Sequence, residues 1–153
     1  MSNLKKHEMQ DVSVLHLRDA EDELMYVDAP DGEPDHSKPM RITLYGPGTI
    51  QFQKAEAERN NRLGERYRRK GKLKLSASEA RQERAEFVSA VTQSTENIDS
   101  DTGATGEALH MEIYLNPKLS FIAEQAELHA RNTANFKTPS TTSSAAASGT
   151  QPG

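Results

Sequence analysis

The sequence has no cysteine and no tryptophan, and aromatic residues make up only 5% of its 153 residues. The lack of cysteine excludes disulfides, thiolate catalysis and cysteine-based zinc sites, which fits a reducing cytoplasm. No apolar run approaches the roughly 20 residues that span a bilayer, and the polar N-terminus lacks the apolar segment of a secretory signal. We therefore expect a soluble intracellular protein that does not associate with membranes.

Hydrophobic residues are also scarce, at 34%, while charged residues reach 27%. Globular proteins have roughly 45–50% apolar residues when glycine is included, so this chain is expected to build only a small core. A partner or self-association would add stability to such a domain. The net charge of −4 gives no general attraction to nucleic acid or to anionic membranes.

The first third of the chain predicts a small antiparallel β unit of two or three strands. Residues 12–17, 24–27 and 41–45 are short runs rich in β-branched and aliphatic side chains. The segment 28–35 between the last two runs is dense in Asp, Pro and Gly, which favours a polar turn.

The strand at 41–45 leads through a Gly-Pro-Gly turn into a long helix predicted over 50–70. The turn lacks the Gly-Lys-Ser/Thr ending of a phosphate-binding loop, so it is interpreted as a plain turn with Thr49 as the helix N-cap. Gly71 is expected to end this helix. Ser76 and Glu79 then match a capping box, which predicts a second helix running to about Gln93.

The remainder of the chain predicts one ambiguous segment, one helix and a tail. Residues 109–115 alternate as a strand does, although an extended lead-in fits equally well. Asn116 and Pro117 favour the start of a terminal helix that runs to about Asn135. Together these patterns predict an α+β fold: a flexible N-terminus (1–10), a single α+β domain (11–136) with about three helices after the β unit, and a disordered Ser/Thr/Ala-rich tail (137–153).

No arrangement of side chains predicts catalysis. The five histidines never pair at i, i+4 spacing, the serines lack a nucleophile-elbow motif, and the carboxylates lie mostly in loops. We therefore expect a protein that is not an enzyme and needs neither a metal nor a cofactor.

A basic segment closes the long helix and continues to residue 74. It predicts either a face that docks a protein or, as the alternative function, a small nucleic-acid-binding regulator using residues 59–74. Glutamates nearby and the acidic total make nucleic acid the less favoured partner. The residues of this candidate basic docking face are Arg59, Arg62, Arg66, Arg69 and Lys70.

Two apolar stripes at helical spacing are candidate partner-binding surfaces. In a chain so poor in hydrophobic residues, both stripes could equally be the core of the domain. The candidate residues are Phe87, Val88, Val91, Leu119, Ile122 and Ala126.

The order of these elements resembles the tail assembly chaperones of long-tailed, siphovirus-like bacteriophages. Four short motifs carry the resemblance, which extends over about 12–136: Ile42-x-Leu44-Tyr45-Gly46, then Phe52-Gln53-Lys54-Ala55, then Asn116-Pro117-Lys118-Leu119 with Phe121-Ile122 and Gln125, and last Asn135-Phe136. Members often carry an aromatic residue after the second helix, where this chain has Thr95-Glu96-Asn97-Ile98.

The resemblance implies a role in virion morphogenesis without catalysis or a cofactor. Such proteins bind the helical tape-measure protein, keep it soluble, recruit tail-tube subunits and leave before the virion is complete. The chain would then act in the host cytoplasm and be missing from finished particles. Some members also exist as a longer frameshifted product. A structural tail or connector protein that stays in the particle is a further alternative.

Overall fold

The computed structural model describes residues 2–72 and 74–137, and antiparallel strands in its first part are followed by packed helices. The predicted α+β class is therefore confirmed. The strands, in chain order, are β1 (Val12–His16), β2 (Tyr26–Asp28), β3 (Pro34–Pro39), β4 (Arg41–Tyr45) and β5 (Thr92–Glu96). The helices are α1 (Ser2–Lys5), α2 (Ile50–Lys70), α3 (Ala77–Ala90), α4 (Gly106–Leu115) and α5 (Ser120–Arg131), with 3-10 turns at Pro117–Leu119 and Thr133–Phe136.

Strand β4 is the centre of the main sheet and pairs antiparallel with β1 on one side and β5 on the other. Its side chains alternate as expected for a sheet packed on one face only. Ile42 and Leu44 are fully buried, whereas Arg41, Thr43 and Tyr45 remain partly exposed. Strands β2 and β3 form a separate two-stranded hairpin before β4.

Two strands lie where the sequence predicts none. The second helix was expected to reach Gln93, but α3 ends at Ala90 and β5 begins two residues later. Its residues, TQSTE, are polar, and only the pairing with β4 makes them a strand. Strand β3 falls partly in the predicted polar turn, and its prolines stand at its two ends, where a missing ladder hydrogen bond is tolerated.

The segment 109–115 is helical, so its prediction as a strand is wrong. Leu109 and Ile113 are buried one helical turn apart, and His110 and Tyr114 form a second buried pair with the same spacing. Burial at i, i+1, i+4 and i+5 is the pattern of a helix packed between neighbours. Helix α4 contacts both α3 and α5, and this packing decides between the two periodicities.

The predicted start and end of α2 and the predicted start of α3 are confirmed. The Thr49 hydroxyl accepts a hydrogen bond from the Phe52 N–H, and Gly71 ends α2 with φ +70°, a conformation that glycine adopts without strain. At α3, Ser76 accepts from the Glu79 N–H while the Glu79 carboxylate accepts from the Ser76 N–H, which completes the capping box.

One apolar core joins the main sheet to α3, α4 and α5, and α2 adds Phe52 and Ala55 to it. The β unit supplies Leu17, Ile42 and Leu44, all fully buried. The helices supply small and large side chains that interdigitate beneath the sheet: Ala85, Phe87, Val88, Leu109, Ile113, Tyr114, Ile122, Ala123, Ala126 and Ala130. Val91 follows α3 and is also fully buried.

The N-terminal segment meets the 3-10 turn at Thr133–Phe136 beside this core. Within the N-terminal segment predicted to be flexible, α1 forms one helical turn, and the Gln10 N–H donates to the Phe136 carbonyl at 2.7 Å. The predicted disordered tail lies outside the described residues, except for Lys137. In the part of the chain that the structure describes, no helix has the length and apolar character needed to cross a membrane.

Candidate functional site

Helix α2 packs across α3 and α5 with very little apolar contact. Of its 21 residues only Phe52 and Ala55 are buried. Basic side chains on its inner face instead reach glutamates on the two helices beneath it. These contacts form two groups, one centred on Glu127 of α5 and one along α3.

Glu127 binds three arginines from three helices. Its Oε2 accepts hydrogen bonds from Arg59 Nη1 at 3.0 Å and Arg131 Nε at 2.9 Å, and its Oε1 accepts from Arg84 Nε at 3.0 Å. Arg131 also donates from Nη1 and Nη2 to the Glu56 carboxylate, at 2.9 and 3.1 Å. We call Glu56, Arg59, Arg84, Glu127 and Arg131 the Glu127 cluster.

The Glu127 cluster covers an aromatic pair. The Arg131 guanidinium lies 4.4 Å from the ring centroid of Phe87, and Arg59 lies 5.5 Å from it. Phe87 meets Phe52 of α2 edge to face, with 5.4 Å between centroids. The arginines therefore bury their stems against the rings while their charged ends bind carboxylates, and both contacts hold α2 in place.

These contacts determine the protonation of the carboxylates. Burial raises the pKa of Glu127, but hydrogen bonds from Arg131, Arg59 and Arg84 outweigh it, so the net pKa is lowered. The Arg131 hydrogen bonds lower the pKa of Glu56 against a smaller opposing effect of burial. Both carboxylates therefore stay ionised at neutral pH.

A second group of ion pairs joins the later turns of α2 to α3. Arg62 Nε lies 2.8 Å from Glu83 Oε1, and Arg66 Nη1 lies 2.6 Å from Glu79 Oε2. Lys70 Nζ reaches the same Glu79 oxygen at 3.4 Å. The Ser76 N–H, followed by the Lys70 and Arg66 cations, lowers the pKa of Glu79 to about 2 although burial opposes it.

The structure corrects the interpretation of the basic docking face. Arg59, Arg62 and Arg66 point into the molecule and bind its own glutamates, and Lys70 shares Glu79. Within residues 2–72 and 74–137, Arg69 alone of the five candidates forms no ion pair. These basic side chains therefore serve chiefly to attach α2 to α3 and α5. Less positive charge is left for phosphates or a partner.

The two apolar stripes are corrected in the same way. Phe87, Val88 and Val91 are 0% exposed, and Ile122 and Ala126 are also buried, because the sheet and the helices close over them. Leu119 is only partly buried. The core interpretation therefore holds for five of the six residues, and they offer no surface to a partner while the domain is folded.

An open groove remains beside the Glu127 cluster. It has a volume of about 240 Å³ and lies where α2, the first half of α3 and the start of α5 diverge. Two of its apolar lining residues are the exposed Ala80 and the buried Ala123, and we call these two alanines its floor. Tyr114 also lines it, with its hydroxyl bonded to Thr92 at 2.8 Å. Its remaining lining residues are Arg59, Leu75, Ala77, Arg81, Arg84 and Ser120.

The described residues contain no group of three or more His, Asp, Glu or Cys side chains arranged to hold a metal ion. His110 is buried and His129 is partly buried, and burial lowers the pKa of both. His129 Nε2 hydrogen-bonds Ser13 Oγ at 2.8 Å, which fastens α5 to β1. This contact is structural.

The sequence pattern missed Glu127 and Arg131, which are the centre of the cluster. Two signals pointed toward it: Glu127 and Arg131 are spaced i, i+4 on a helix, and Arg84 is the charged member of an otherwise apolar stripe. In the fold the partly exposed Arg84 guanidinium binds Glu127. Comparison of the chain with protein-family models, curated proteins and solved structures finds no match.

Proposed function

We propose that this chain is a non-enzymatic tail assembly chaperone of a long-tailed bacteriophage. It binds the tape-measure protein in the host cytoplasm, helps recruit tail-tube subunits and leaves before the particle is complete. The proposal rests on the resemblance of the four sequence motifs, and one contact in the fold gives it further support.

That contact joins the two motifs that lie farthest apart in the sequence. Gly46, which ends the Ile-x-Leu-Tyr-Gly motif, packs directly on the ring of Phe136, which ends the Asn-Phe motif. A Cβ atom added at Gly46 would lie 2.5 Å from Phe136 Cδ2, so only glycine fits there. This close approach gives a physical reason for a glycine and a terminal aromatic residue to occur together.

Two other motif residues also have defined structural roles. Asn116 accepts a hydrogen bond from the Lys118 N–H and starts the 3-10 turn before α5. The Gln125 side chain bonds both backbone polar groups of Arg18, accepting from its N–H at 2.9 Å and donating to its carbonyl at 2.7 Å. These contacts link the segments that follow β1 and β4 to α5 and to the 3-10 turn at Thr133–Phe136.

Co-expression tests the proposal. The gene for the neighbouring tape-measure protein is expressed with and without this chain, and the soluble fraction of the tape-measure protein is measured. We expect a clear rise and co-purification of the two proteins. An unrelated long helical protein of similar length is the control and should not respond. An unchanged soluble fraction without co-purification contradicts the proposal.

Finished particles distinguish a chaperone from a structural tail or connector protein. Mass spectrometry of purified virions should detect tail-tube and tape-measure proteins but not this chain. Stoichiometric amounts of the chain in virions would favour the structural alternative instead.

A further inference from the structure

The groove beside the Glu127 cluster is too small for a cofactor. Ligand pockets for small molecules measure roughly 300–1,000 Å³, whereas this groove measures about 240 Å³. Its lining combines the alanines with polar and charged residues, among them Arg81, Arg84 and Ser120. Such a groove fits one or two apolar side chains presented by another protein.

The charges at the groove are not balanced. Glu127 binds both Arg59 and Arg84, and Glu124 lies 3.5 Å from Arg84. Arg81, one helical turn before Arg84, has no ion pair within the described residues 2–72 and 74–137. The rim therefore presents one guanidinium without a carboxylate next to an apolar floor, and a complementary partner carries a carboxylate beside an apolar residue.

We propose that this groove docks an acidic amphipathic helix of the tape-measure protein. The helix inserts an apolar side chain over Ala80 and Ala123 and places an Asp or Glu, one turn away, against Arg81. Residues one turn apart lie on the same face of a helix, so both contacts can form together. This assignment rests on the function proposed above, and it names the surface that carries it.

The composition of the chain's own tail makes it a poor occupant of the groove. Residues 138–153 contain no charged side chain and no large apolar residue. They supply neither a carboxylate side chain for Arg81 nor a large apolar side chain to fill the floor. A second copy of the chain is the other competing occupant, and the experiment below tests it directly.

The experiment titrates 20-residue peptides that cover the tape-measure protein against the full chain and its variants. Arg81→Glu reverses the charge at the groove, and Ala80→Leu fills the floor. Arg69→Glu is the matched control, because it makes the same charge change on exposed α2 surface outside the groove. Circular dichroism and thermal melting show that each variant is folded.

We expect at least one acidic amphipathic peptide to bind the wild-type chain. Arg81→Glu should weaken that binding about tenfold, as loss of a charge-assisted contact does, and Ala80→Leu should weaken it as well. Arg69→Glu should stay within about twofold of wild type, because Arg69 lies outside the groove.

Four results overturn the groove assignment. The first is equal loss of binding in Arg81→Glu and Arg69→Glu. The second is binding that appears only after residues 138–153 are removed, which identifies the tail as the occupant. The third is a wild-type dimer in sedimentation that Arg81→Glu dissociates, which identifies a second copy.

The fourth result is that the intact tape-measure protein binds the chain, but no peptide competes with it for the groove. In that case the chaperone function stands and only its surface is wrong. If intact tape-measure protein also fails to bind, the proposed function fails together with the groove assignment. Binding of the intact protein therefore distinguishes the two failures.

Discussion

Helix α2 and the helices beneath it are attached to the domain by different means. Helix α2 buries two apolar residues of its 21, whereas α3 buries three of its 14 and α5 buries four of its 12. The other buried residues of α3 and α5 are polar and include Glu83 and Glu127, which bind arginines of α2. Ion pairs are therefore a larger part of what holds α2 than of what holds the sheet, α3, α4 and α5, which supply most of the apolar core. Apolar burial stabilises by about 25 cal/mol per Å² and is insensitive to salt, but partly exposed ion pairs are screened. We expect α2 to detach more easily than any other long helix of the domain.

The largest effect is expected from a cavity in the apolar core. Phe87→Ala removes a ring that is 0% exposed and should lower the free energy of unfolding by about 3–5 kcal/mol. Urea unfolding followed by circular dichroism measures this. Phe52→Ala is the matched variant on α2 and should cost less, because release of α2 limits the loss. Equal costs for the two variants would contradict the proposed difference between the regions.

The centre of the ion-pair network gives the next largest effect. Glu127→Gln leaves three arginines without their shared carboxylate. We expect a loss of about 2–3 kcal/mol, below the 3–5 kcal/mol of a fully buried pair because Arg59, Arg84 and Arg131 are partly exposed. Urea unfolding is again the measurement. Glu58→Gln, on exposed α2 surface, should change stability by less than about 0.5 kcal/mol.

Gly46 tests the junction between the two regions, because it lies between β4 and α2. Gly46→Ala places a methyl group against Phe136 and should cost about 1–3 kcal/mol through overpacking. In a Phe136→Ala background the same change should cost almost nothing, since the ring is gone. A double-mutant cycle from thermal or urea unfolding measures this coupling. An unchanged cost in that background would show that the ring contact is not the cause.

The smallest effect is expected on lowering the pH from 7 to 5. Burial lowers the pKa of His110 and His129 below their ordinary value of 6.5, so the unfolded chain binds protons first and stability falls as the pH drops through this range. The pKa of Glu127 and Glu56 is lowered, so their contribution persists until the pH falls below about 4.5 and is then lost. Melting temperatures from pH 7 to 3 should therefore fall in two steps. Glu127→Gln should reduce only the second step, and loss of the first step in that variant would contradict this assignment.

Local sequence signals predicted the parts of the fold that local chemistry determines. The N-cap at Thr49, the glycine end at Gly71 and the capping box at Ser76 and Glu79 all occur as expected, because their hydrogen bonds join residues within one turn. The strand at 41–45 was predicted for a similar reason, since its alternation depends on one buried face.

The features that the sequence did not reveal depend on distant partners. Strand β5 is polar and forms only because it pairs with β4. The residues of α4 alternate as in a strand, but they form a helix that packs against α3. The Glu127 cluster joins residues up to 75 positions apart, as between Glu56 and Arg131. Sequence spacing cannot show which arginine meets which glutamate at such separations, so a basic stretch looked like a free surface.

Native-state hydrogen exchange of backbone amides is the most direct test of the central claim, that α2 depends on ion pairs more than the core elements do. Exchange is measured in 20 mM, 150 mM and 500 mM salt, conditions that span Debye lengths from above 10 Å to below 8 Å. We expect the amides of α2 to exchange through an opening that costs less free energy than the opening of β4 and α5. The opening free energy of α2 should fall as salt rises, whereas that of the core amides should stay unchanged. Equal opening free energies in α2 and the core, unaffected by salt, would contradict the account.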